Sequence, residues 1–276
     1  MNNLGLLVFS YSGDLDRAKR LFESMDKYNT DNIPVYLMVD KQDKNLFVNN
    51  IGTENYELVL SEDLNLTDRN TVPNGWIYQQ IMKSQFWVSG LCENYVSVDS
   101  DSLILKNFYV DDFMYDENTP YTVFSEQKDF IDLAYKLGKV KYEENDIGWY
   151  IKSRYYDAIR KIRGFVPNKT SKYFDYGPSP YIWSSKVWKS FDENYLKPND
   201  MTFTDLTLSL GSLMSEAGIY GEYLLYSKDI PIIPINPLFK FYHWKELYEW
   251  DNEQNIGLDD IKKNYIGVVM QSNWSN

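Results

Sequence analysis

Two aspartates separated by a single serine, Asp99 and Asp101, directly follow the apolar stretch YVSV. In an extended chain, residues two positions apart point to the same side, so the two carboxylates can converge on one point. Open α/β sheets bind their ligands at the carboxyl ends of the strands, which is where these side chains would lie. Because the two negative charges repel each other, the arrangement favours a hard divalent cation, Mg²⁺ or Mn²⁺, completed by a substrate diphosphate. An Asp-rich turn that only closes a strand is the alternative interpretation of this short motif.

The segment before this strand, residues 76–91, has helical periodicity with two distinct faces. An apolar face is predicted from Ile77, Ile81, Ser84, Val88 and Leu91. The adjacent stripe, at spacings of three, four and seven residues, is polar and aromatic. It consists of Trp76, Gln79, Gln80 and Lys83. An exposed helical lysine is the default interpretation of Lys83, but its stripe leads directly into the acidic strand.

The elements around these residues predict a parallel α/β sheet. Strand-like apolar runs at 4–9, 33–40 and 56–61 enclose a helix that begins near Asp14. Strand, helix and strand with short connections open such a sheet. For the second half we predict a strand at 121–127, a largely helical segment at 128–163, and a turn, strand and helix start within 173–191. Helices are predicted at 202–219 and 221–229, followed by an edge strand or loop in the proline-rich 230–239 and a last strand at 264–272.

The chain shows no internal repeat and no low-complexity linker, so we predict one domain over 1–276. Its expected fold is a Rossmann-like, mixed but mostly parallel sheet flanked by helices, with a helical insertion in the second half. Residues 1–110 form the predicted nucleotide-sugar-binding half, and residues 111–276 the acceptor-binding half.

Composition excludes several classes of function. A net charge of −12 argues against binding to a nucleic-acid duplex, which requires a basic surface. The single cysteine, Cys92, excludes an internal disulfide and a multi-cysteine zinc site. There is no basic leader and no apolar run of membrane-spanning length, so we expect a cytoplasmic protein. The basic segment 152–163 is either a solvated face or a peripheral contact with a membrane or an acidic glycan.

The motifs together resemble those of GT-A glycosyltransferases. The string GWIYQQIMKSQFW followed by YVSVDSDSLIL is similar to a bacterial GT-A-like family marked by Gly-Trp-x-x-Gln-Gln-x-x-Lys ahead of an Asp-x-Asp strand. GEYLLY resembles the Glu-Tyr-x-Leu-Tyr stretch of that family, and FSYSGDLDRAKRLFESM its first strand–helix unit. The resemblance covers about residues 1–230 and departs at 128–172 and beyond 245.

This resemblance implies a site for a nucleotide-sugar donor such as a UDP- or GDP-sugar. Asp99 and Asp101 would hold Mn²⁺ or Mg²⁺, with Asp101 the better ligand, and the late histidine His243 would join them. His243 is otherwise read as a core or interface histidine among aromatic neighbours. The implied donor-binding residues are Ser10, Tyr11, Ser12, Trp76, Gln79, Gln80, Lys83 and Asp99.

The implied reaction transfers a sugar, with inversion, to a glycan, a lipid-linked acceptor or another hydroxyl in surface polysaccharide synthesis. Inversion requires a base that deprotonates the acceptor hydroxyl. Glu222 of GEYLLY matches that position, and Asp205 is the second candidate. Glu222 could instead be a first-turn acid favoured by the helix dipole, or bind the acceptor in its ground state.

Two other functions remain open at this point. Asp99 could be the nucleophile and Asp101 the acid/base of a haloacid-dehalogenase-like phosphohydrolase. That motif usually lies near the N-terminus and continues into Thr or Val, whereas Ser102 and Leu103 follow here. A non-catalytic glycan-binding module is the other alternative.

Overall fold

A five-stranded sheet forms the centre of the protein, in a computed structural model that describes residues 1–52, 54–64, 66–126, 136, 138, 174–211 and 214–271. Its strands are β1 (Asn2–Phe9), β2 (Val35–Val39), β3 (Glu57–Leu60), β4 (Cys92–Asp99) and β9 (Tyr181–Ser184). Their order in the sheet is β3-β2-β1-β4-β9. All neighbouring strands are parallel except β4 and β9, which are antiparallel. The mixed, mostly parallel sheet predicted from the sequence is confirmed.

Helices cover both faces of the sheet and enclose two apolar cores. Alternate residues of β1 point to opposite faces, so Leu7 and Phe9 enter one core and Leu6 and Val8 the other. The helices are α1 (Leu15–Tyr28), α2 (Lys44–Ile51), α3 (Gly75–Gln85), α4 (Ser185–Phe191), α5 (Phe203–Leu210), α6 (Glu216–Ser227), α7 (Lys245–Glu253) and α8 (Leu258–Asn264). Helices α1 and α2 pack on the second core, whereas α3, α4 and α6 pack on the first.

A second sheet lies beside the acidic motif. It has the order β11-β12-β5, with β11 (Phe239–Tyr242) parallel and β5 (Ser102–Ile104) antiparallel to β12 (Gly267–Met270). The predicted last strand at 264–272 is therefore confirmed as β12. Because β5 follows Asp101 directly, this sheet joins the C-terminal part of the chain to the end of β4.

Several predicted boundaries were wrong. Helix α3 ends at Gln85 and a 3₁₀ turn follows, so Val88 leaves the apolar face and is exposed. The predicted strand at 121–127 is two short pieces, β6 (Thr122–Val123) and β7 (Ser125–Glu126). β7 pairs with β8 (Phe174–Asp175).

The break between the two late helices lies earlier than predicted. The sequence indicated helices at 202–219 and 221–229, whereas α5 ends at Leu210, is followed by Gly211 with a φ of +55°, and α6 begins at Glu216. Glycine adopts this left-handed conformation without the penalty of a Cβ atom. The Ser215 side chain then caps α6 by accepting a hydrogen bond from the Gly218 amide at 3.2 Å.

Other elements differ from the predictions for simple reasons. Prolines restrict the region 230–239 to β10 (Pro234–Ile235) and the start of β11. Helices α2, α7 and α8 were not predicted, because they are short and mostly polar. The predicted helical segment 128–163 lies outside the described residues, except for Lys136 and Gly138. In the part of the chain that is described, none of the helices is both long and apolar enough to cross a membrane.

Gly221 permits close packing between α6 and Tyr176. A Cβ atom at this position would lie 2.0 Å from the Tyr176 ring, so Gly221→Ala forces the ring or the helix to move. We expect a loss of about 2 kcal/mol in the free energy of unfolding, which outweighs the better helix propensity of alanine. Urea denaturation measures it. Gly257→Ala is the matched control, since nothing lies within 4 Å of its Cβ position, and equal stability of the two variants would contradict the prediction.

Candidate functional site

A cavity of about 580 Å³ opens at the carboxyl end of β4. Residues from distant parts of the chain line it together, including the polar stripe of α3 and the acidic motif. The predicted site residues that line it are Trp76, Gln79, Gln80, Lys83, Asp99, Asp101 and His243. The size is typical of pockets that bind small molecules.

The second sheet brings His243 to the acidic motif. His243 follows β11, which pairs with β12, and β12 pairs with the strand that leaves Asp101. The Met270 amide also donates a hydrogen bond to the Asp101 carbonyl oxygen at 3.3 Å. These two strand pairings therefore bring Asp101 and His243, which lie 142 positions apart in the sequence, to the lining of one cavity.

Lys83 is buried at the centre of the site and forms two ion pairs. Its Nζ lies 3.1 Å from Oδ1 of Asp99 and 3.0 Å from Oε1 of Glu216, and only 3% of the residue is exposed. Burial lowers the pKa of Lys83, but the two carboxylates outweigh it and hold the pKa above the ordinary lysine value. The Tyr181 ring adds a cation–π contact at 5.3 Å. Lys83 is thus a fixed positive charge, not the exposed helical lysine of the default interpretation.

Gln80 carries a buried amide group with unused hydrogen-bonding capacity. Its Oε1 accepts a hydrogen bond from the Glu216 amide at 3.3 Å, which sets the orientation of the amide. Its Nε2 is buried and has no hydrogen-bond partner among the described residues. An unsatisfied buried donor costs about 1–3 kcal/mol, so a ligand oxygen in the cavity would be a favourable partner.

Hydrogen bonds hold the turn that carries the two aspartates. The Ser100 hydroxyl donates to Oδ2 of Asp14 at 3.1 Å, while Arg17 pairs with Oδ1 of Asp14 at 2.7 Å. The Asp99 amide donates to Oγ of Ser179 at 3.2 Å. The loop after β1 and the turn before β9 therefore fix the backbone of the acidic motif from two sides.

The cavity is strongly acidic. Among the described residues that line it, five are carboxylates and one is a basic side chain, Lys83. The five are Asp14, Asp99, Asp101, Asp175 and Glu216. A phosphate-bearing ligand would enter such a cavity only together with a cation.

The residues fit a divalent cation in part. Asp99, Asp101 and His243 line the same cavity and offer oxygen and imidazole ligands. Among the described residues, no three His, Cys, Asp or Glu side chains are grouped closely enough to hold a metal ion by themselves. Mg²⁺ commonly binds one or two carboxylates and takes its remaining ligands from substrate phosphates and water, so a three-residue cage is not required. Asp99 is already paired with Lys83, so part of its charge is compensated before any cation binds.

The predicted base candidates do not line the cavity. Glu222 lies in the middle of α6, buried, where its Oε1 accepts a hydrogen bond from the Tyr176 hydroxyl at 3.0 Å. It is not the first-turn acid of its helix, because α6 begins at Glu216. Asp205 is in the first turn of α5 and caps it through the Thr202 amide and hydroxyl. Both carboxylates therefore form hydrogen bonds with nearby protein groups outside the lining of the cavity.

The predicted donor-binding residues that follow β1 also lie outside the lining of this cavity. Ser10 is buried, Tyr11 is exposed, and the Ser12 amide donates to Oδ2 of Asp43 at 2.9 Å. Their role in donor binding stays a prediction.

The lining residues that sequence reasoning missed include three carboxylates and one tyrosine: Asp14, Asp175, Glu216 and Tyr181. In the sequence, Asp14 marked only the start of a helix. Glu216 had a usable signal, since Ser215-Glu216 after a glycine is a typical helix start with an acid in the first turn. Asp175 and Tyr181 had no such signal, because Asp175 lies on β8, which pairs with β7, and Tyr181 on β9, which pairs antiparallel with β4.

The fold and the cavity define an α/β protein with an acidic binding site at the carboxyl edge of a mostly parallel sheet. The chain belongs to the family described as Family of unknown function (DUF6492), whose profile matches residues 6–261. A comparison with curated proteins found no match.

Replacing Lys83 tests whether this buried charge holds the site together. Lys83→Met leaves the carboxylates of Asp99 and Glu216 without their counter-charge, so we expect a loss of about 3 kcal/mol in the free energy of unfolding at pH 7. Lys189→Met is the control. Its ammonium is exposed and lies 3.9 Å from Glu193, and its removal should change stability by less than about 0.5 kcal/mol. Urea denaturation measures the free energy of unfolding of both variants. An equal loss in Lys83→Met and Lys189→Met would refute the central role of Lys83.

The difference in the free energy of unfolding between wild type and Lys83→Met should depend on pH, because the pKa of Lys83 is raised in the folded protein. A lysine with a higher pKa in the folded state contributes its full stabilisation below the unfolded value of about 10.4. That contribution is lost as the pH rises through the folded value. The difference between wild type and Lys83→Met should therefore stay constant from neutral pH to about pH 9 and shrink above it.

Proposed function

We propose that this protein is a metal-dependent glycosyltransferase of the GT-A fold, which transfers a sugar from a nucleotide-sugar donor to a hydroxyl acceptor. The observation that carries the proposal is the convergence of Trp76, Gln79, Lys83, Asp101 and His243 on one cavity. The first four lie on α3 and just after β4, within 25 positions of one another, whereas His243 follows Asp101 by 142 positions. A chance resemblance of the α3 and Asp-x-Asp motifs would not require this late histidine to meet them at one site.

The charge of the cavity supports a donor that carries a cation. A nucleoside diphosphate would be repelled by the carboxylates that line the site unless Mn²⁺ or Mg²⁺ came with it. Asp101, with Asp99 and His243, would hold the ion, and a bound ion would neutralise the charge that develops on the departing diphosphate.

The walls of the cavity suit the sugar part of a donor. Trp76 is 44% exposed and presents an apolar ring, while Gln79 and Gln80 present amides that bond hydroxyl groups. Lys83 keeps Asp99 and Glu216 in place through its ion pairs. In this proposal its positive charge offsets part of the charge of the acidic motif and does not act alone as a phosphate ligand.

Inversion at the sugar would require a carboxylate that faces the acceptor hydroxyl. The cavity offers Asp175 and Glu216 for this role, since both line it beyond the acidic motif. Glu216 is the first-turn acid of α6 and takes the place that the sequence suggested for Glu222.

Calorimetric titration of nucleotides tests the proposed donor site. UDP, GDP and CMP are titrated with and without Mn²⁺ into the wild type, Asp101→Asn and Asp259→Asn. Asp259 is an exposed carboxylate on α8, outside the cavity lining. We expect one nucleotide to bind, to require Mn²⁺, and to bind at least about tenfold more weakly to Asp101→Asn but normally to Asp259→Asn.

The other outcomes identify the alternatives. The absence of binding by every nucleotide would contradict the proposal. Release of phosphate from p-nitrophenyl phosphate would then indicate a phosphohydrolase, and saccharide binding without metal or nucleotide would indicate a binding module.

Gln80→Met separates a ligand-binding role from a structural one. Methionine has a similar shape and removes the unsatisfied Nε2, but it also removes the oxygen that accepts from the Glu216 amide, so the two effects oppose each other and we expect the free energy of unfolding to change by less than about 1 kcal/mol. Binding of the nucleotide-sugar should weaken about tenfold, because the donor to the ligand is lost. Thermal unfolding and calorimetry measure the two quantities. A destabilised variant with unchanged ligand affinity would show that Gln80 only supports the fold.

A further inference from the structure

A second cavity, of about 700 Å³, adjoins the acidic cavity. Its walls come from the segments around β11, α7 and the end of α8. The two cavities share Pro178, Phe241 and His243 in their linings, so a ligand in the second cavity can reach the first without leaving the protein surface. We call the second cavity the C-terminal groove.

The C-terminal groove combines aromatic rings with neutral hydrogen-bonding groups. Trp250 is 57% exposed, and the rings of Phe241 and Tyr265 are half-buried. Asn236 and Asn264 are exposed on its lining. Flat aromatic faces pack against the C–H faces of sugar rings, while amide groups bond their hydroxyl groups. This mixture suits a carbohydrate better than an acyl chain, which has no hydroxyl groups for the amides.

The charges in the groove cancel. Nζ of Lys240 lies 3.1 Å from Oδ2 of Asp251, and the same oxygen accepts a hydrogen bond from the Tyr242 hydroxyl at 2.7 Å. Burial and the neighbouring carboxylate raise the pKa of Tyr242 above the ordinary tyrosine value, so it remains a donor. An uncharged ligand fits this balance, whereas an anionic glycan would also be repelled by the net charge of −12.

The same ion pair positions the exposed tryptophan. Asp251 is the buried residue of α7 and lies next to Trp250 in the sequence. Its bonds to Lys240 and Tyr242 fix α7 against β11, on the side of the groove. The buried carboxylate therefore holds α7 in place while the Trp250 ring stays exposed on the lining of the groove, where a ligand can pack against it.

We infer that the C-terminal groove binds a neutral carbohydrate chain, the acceptor of the transfer, with Trp250 as its stacking platform. The inference rests on the proposed function: the end of the chain that receives the sugar lies near His243 in the acidic cavity, and the preceding sugar units lie along the groove. Asn236 and Asn264 bond hydroxyl groups of these units.

The test measures saccharide binding without donor or metal. Neutral oligosaccharides of glucose, mannose, galactose and N-acetylglucosamine are titrated into the full chain and followed by saturation-transfer NMR, which does not depend on tryptophan fluorescence. The variants are Trp250→Ala, Trp250→Phe and, as a matched exposed aromatic outside both cavities, Tyr115→Ala. Circular dichroism verifies that each variant is folded.

We expect at least one of these oligosaccharides to bind, and to bind about tenfold more weakly to Trp250→Ala. Trp250→Phe keeps an aromatic face and should retain most of the affinity, and Tyr115→Ala should retain all of it. Equal affinity of Trp250→Ala and wild type would overturn the inference, as would the absence of binding by every oligosaccharide.

Nucleotide calorimetry on the same variants separates this inference from the proposed function. Metal-dependent nucleotide binding that is intact in Trp250→Ala, together with lost saccharide binding, supports both. If the wild type binds a nucleotide but no saccharide, the inferred role of the groove is overturned and the proposed function is not. Saccharide binding that depends on Trp250, with no nucleotide binding, keeps the groove as a carbohydrate site but removes its role as the acceptor site of a transferase.

Discussion

The site depends on one buried positive charge, the ammonium group of Lys83. It connects three elements that are separate in the sequence, because α3 carries the lysine, β4 ends at Asp99 and α6 begins at Glu216. A buried lysine without partners would lose its proton or leave the interior. Lys83 keeps its charge because the carboxylates of Asp99 and Glu216 lie within ion-pair distance and raise its pKa. The position of α6 relative to the sheet is thus tied to the acidic motif.

The same charges determine what the cavity can accept. Among the described residues, one lysine does not balance the five carboxylates that line the site, so these residues together give the cavity a negative charge. Such a surplus costs stability through repulsion. A cation that arrives with the substrate would remove this repulsion, which couples metal and substrate binding. A preformed cage of ligands would instead bind the ion before the substrate.

The two cavities differ in how their polar groups are used. In the acidic cavity, and among the described residues, Nε2 of Gln80 has no hydrogen-bond partner and the carboxylates outnumber the basic groups. In the C-terminal groove, the charged groups Lys240 and Asp251 are already paired, and rings and neutral amides remain for a ligand. This difference is consistent with a charged donor and an uncharged acceptor that meet near His243.

The sequence by itself determined the elements that are continuous along the chain. The apolar runs of β1 and β4 and the periodicity of α1 and α3 are local signals, so the parallel sheet and the convergence of the α3 stripe with Asp99 and Asp101 could be predicted. Only the tertiary structure decided which other residues meet them. Glu216 entered the site because a glycine in a left-handed conformation ended α5 early, Tyr181 entered it through the antiparallel pairing of β9 with β4, and Asp175 lies on β8, which pairs with β7. His243 was placed by the pairing of β11 with β12 and of β12 with β5, and the second pairing joins residues more than a hundred positions apart. Spacing along the chain carries no record of such pairings, because they are fixed by the free energy of packing the whole core.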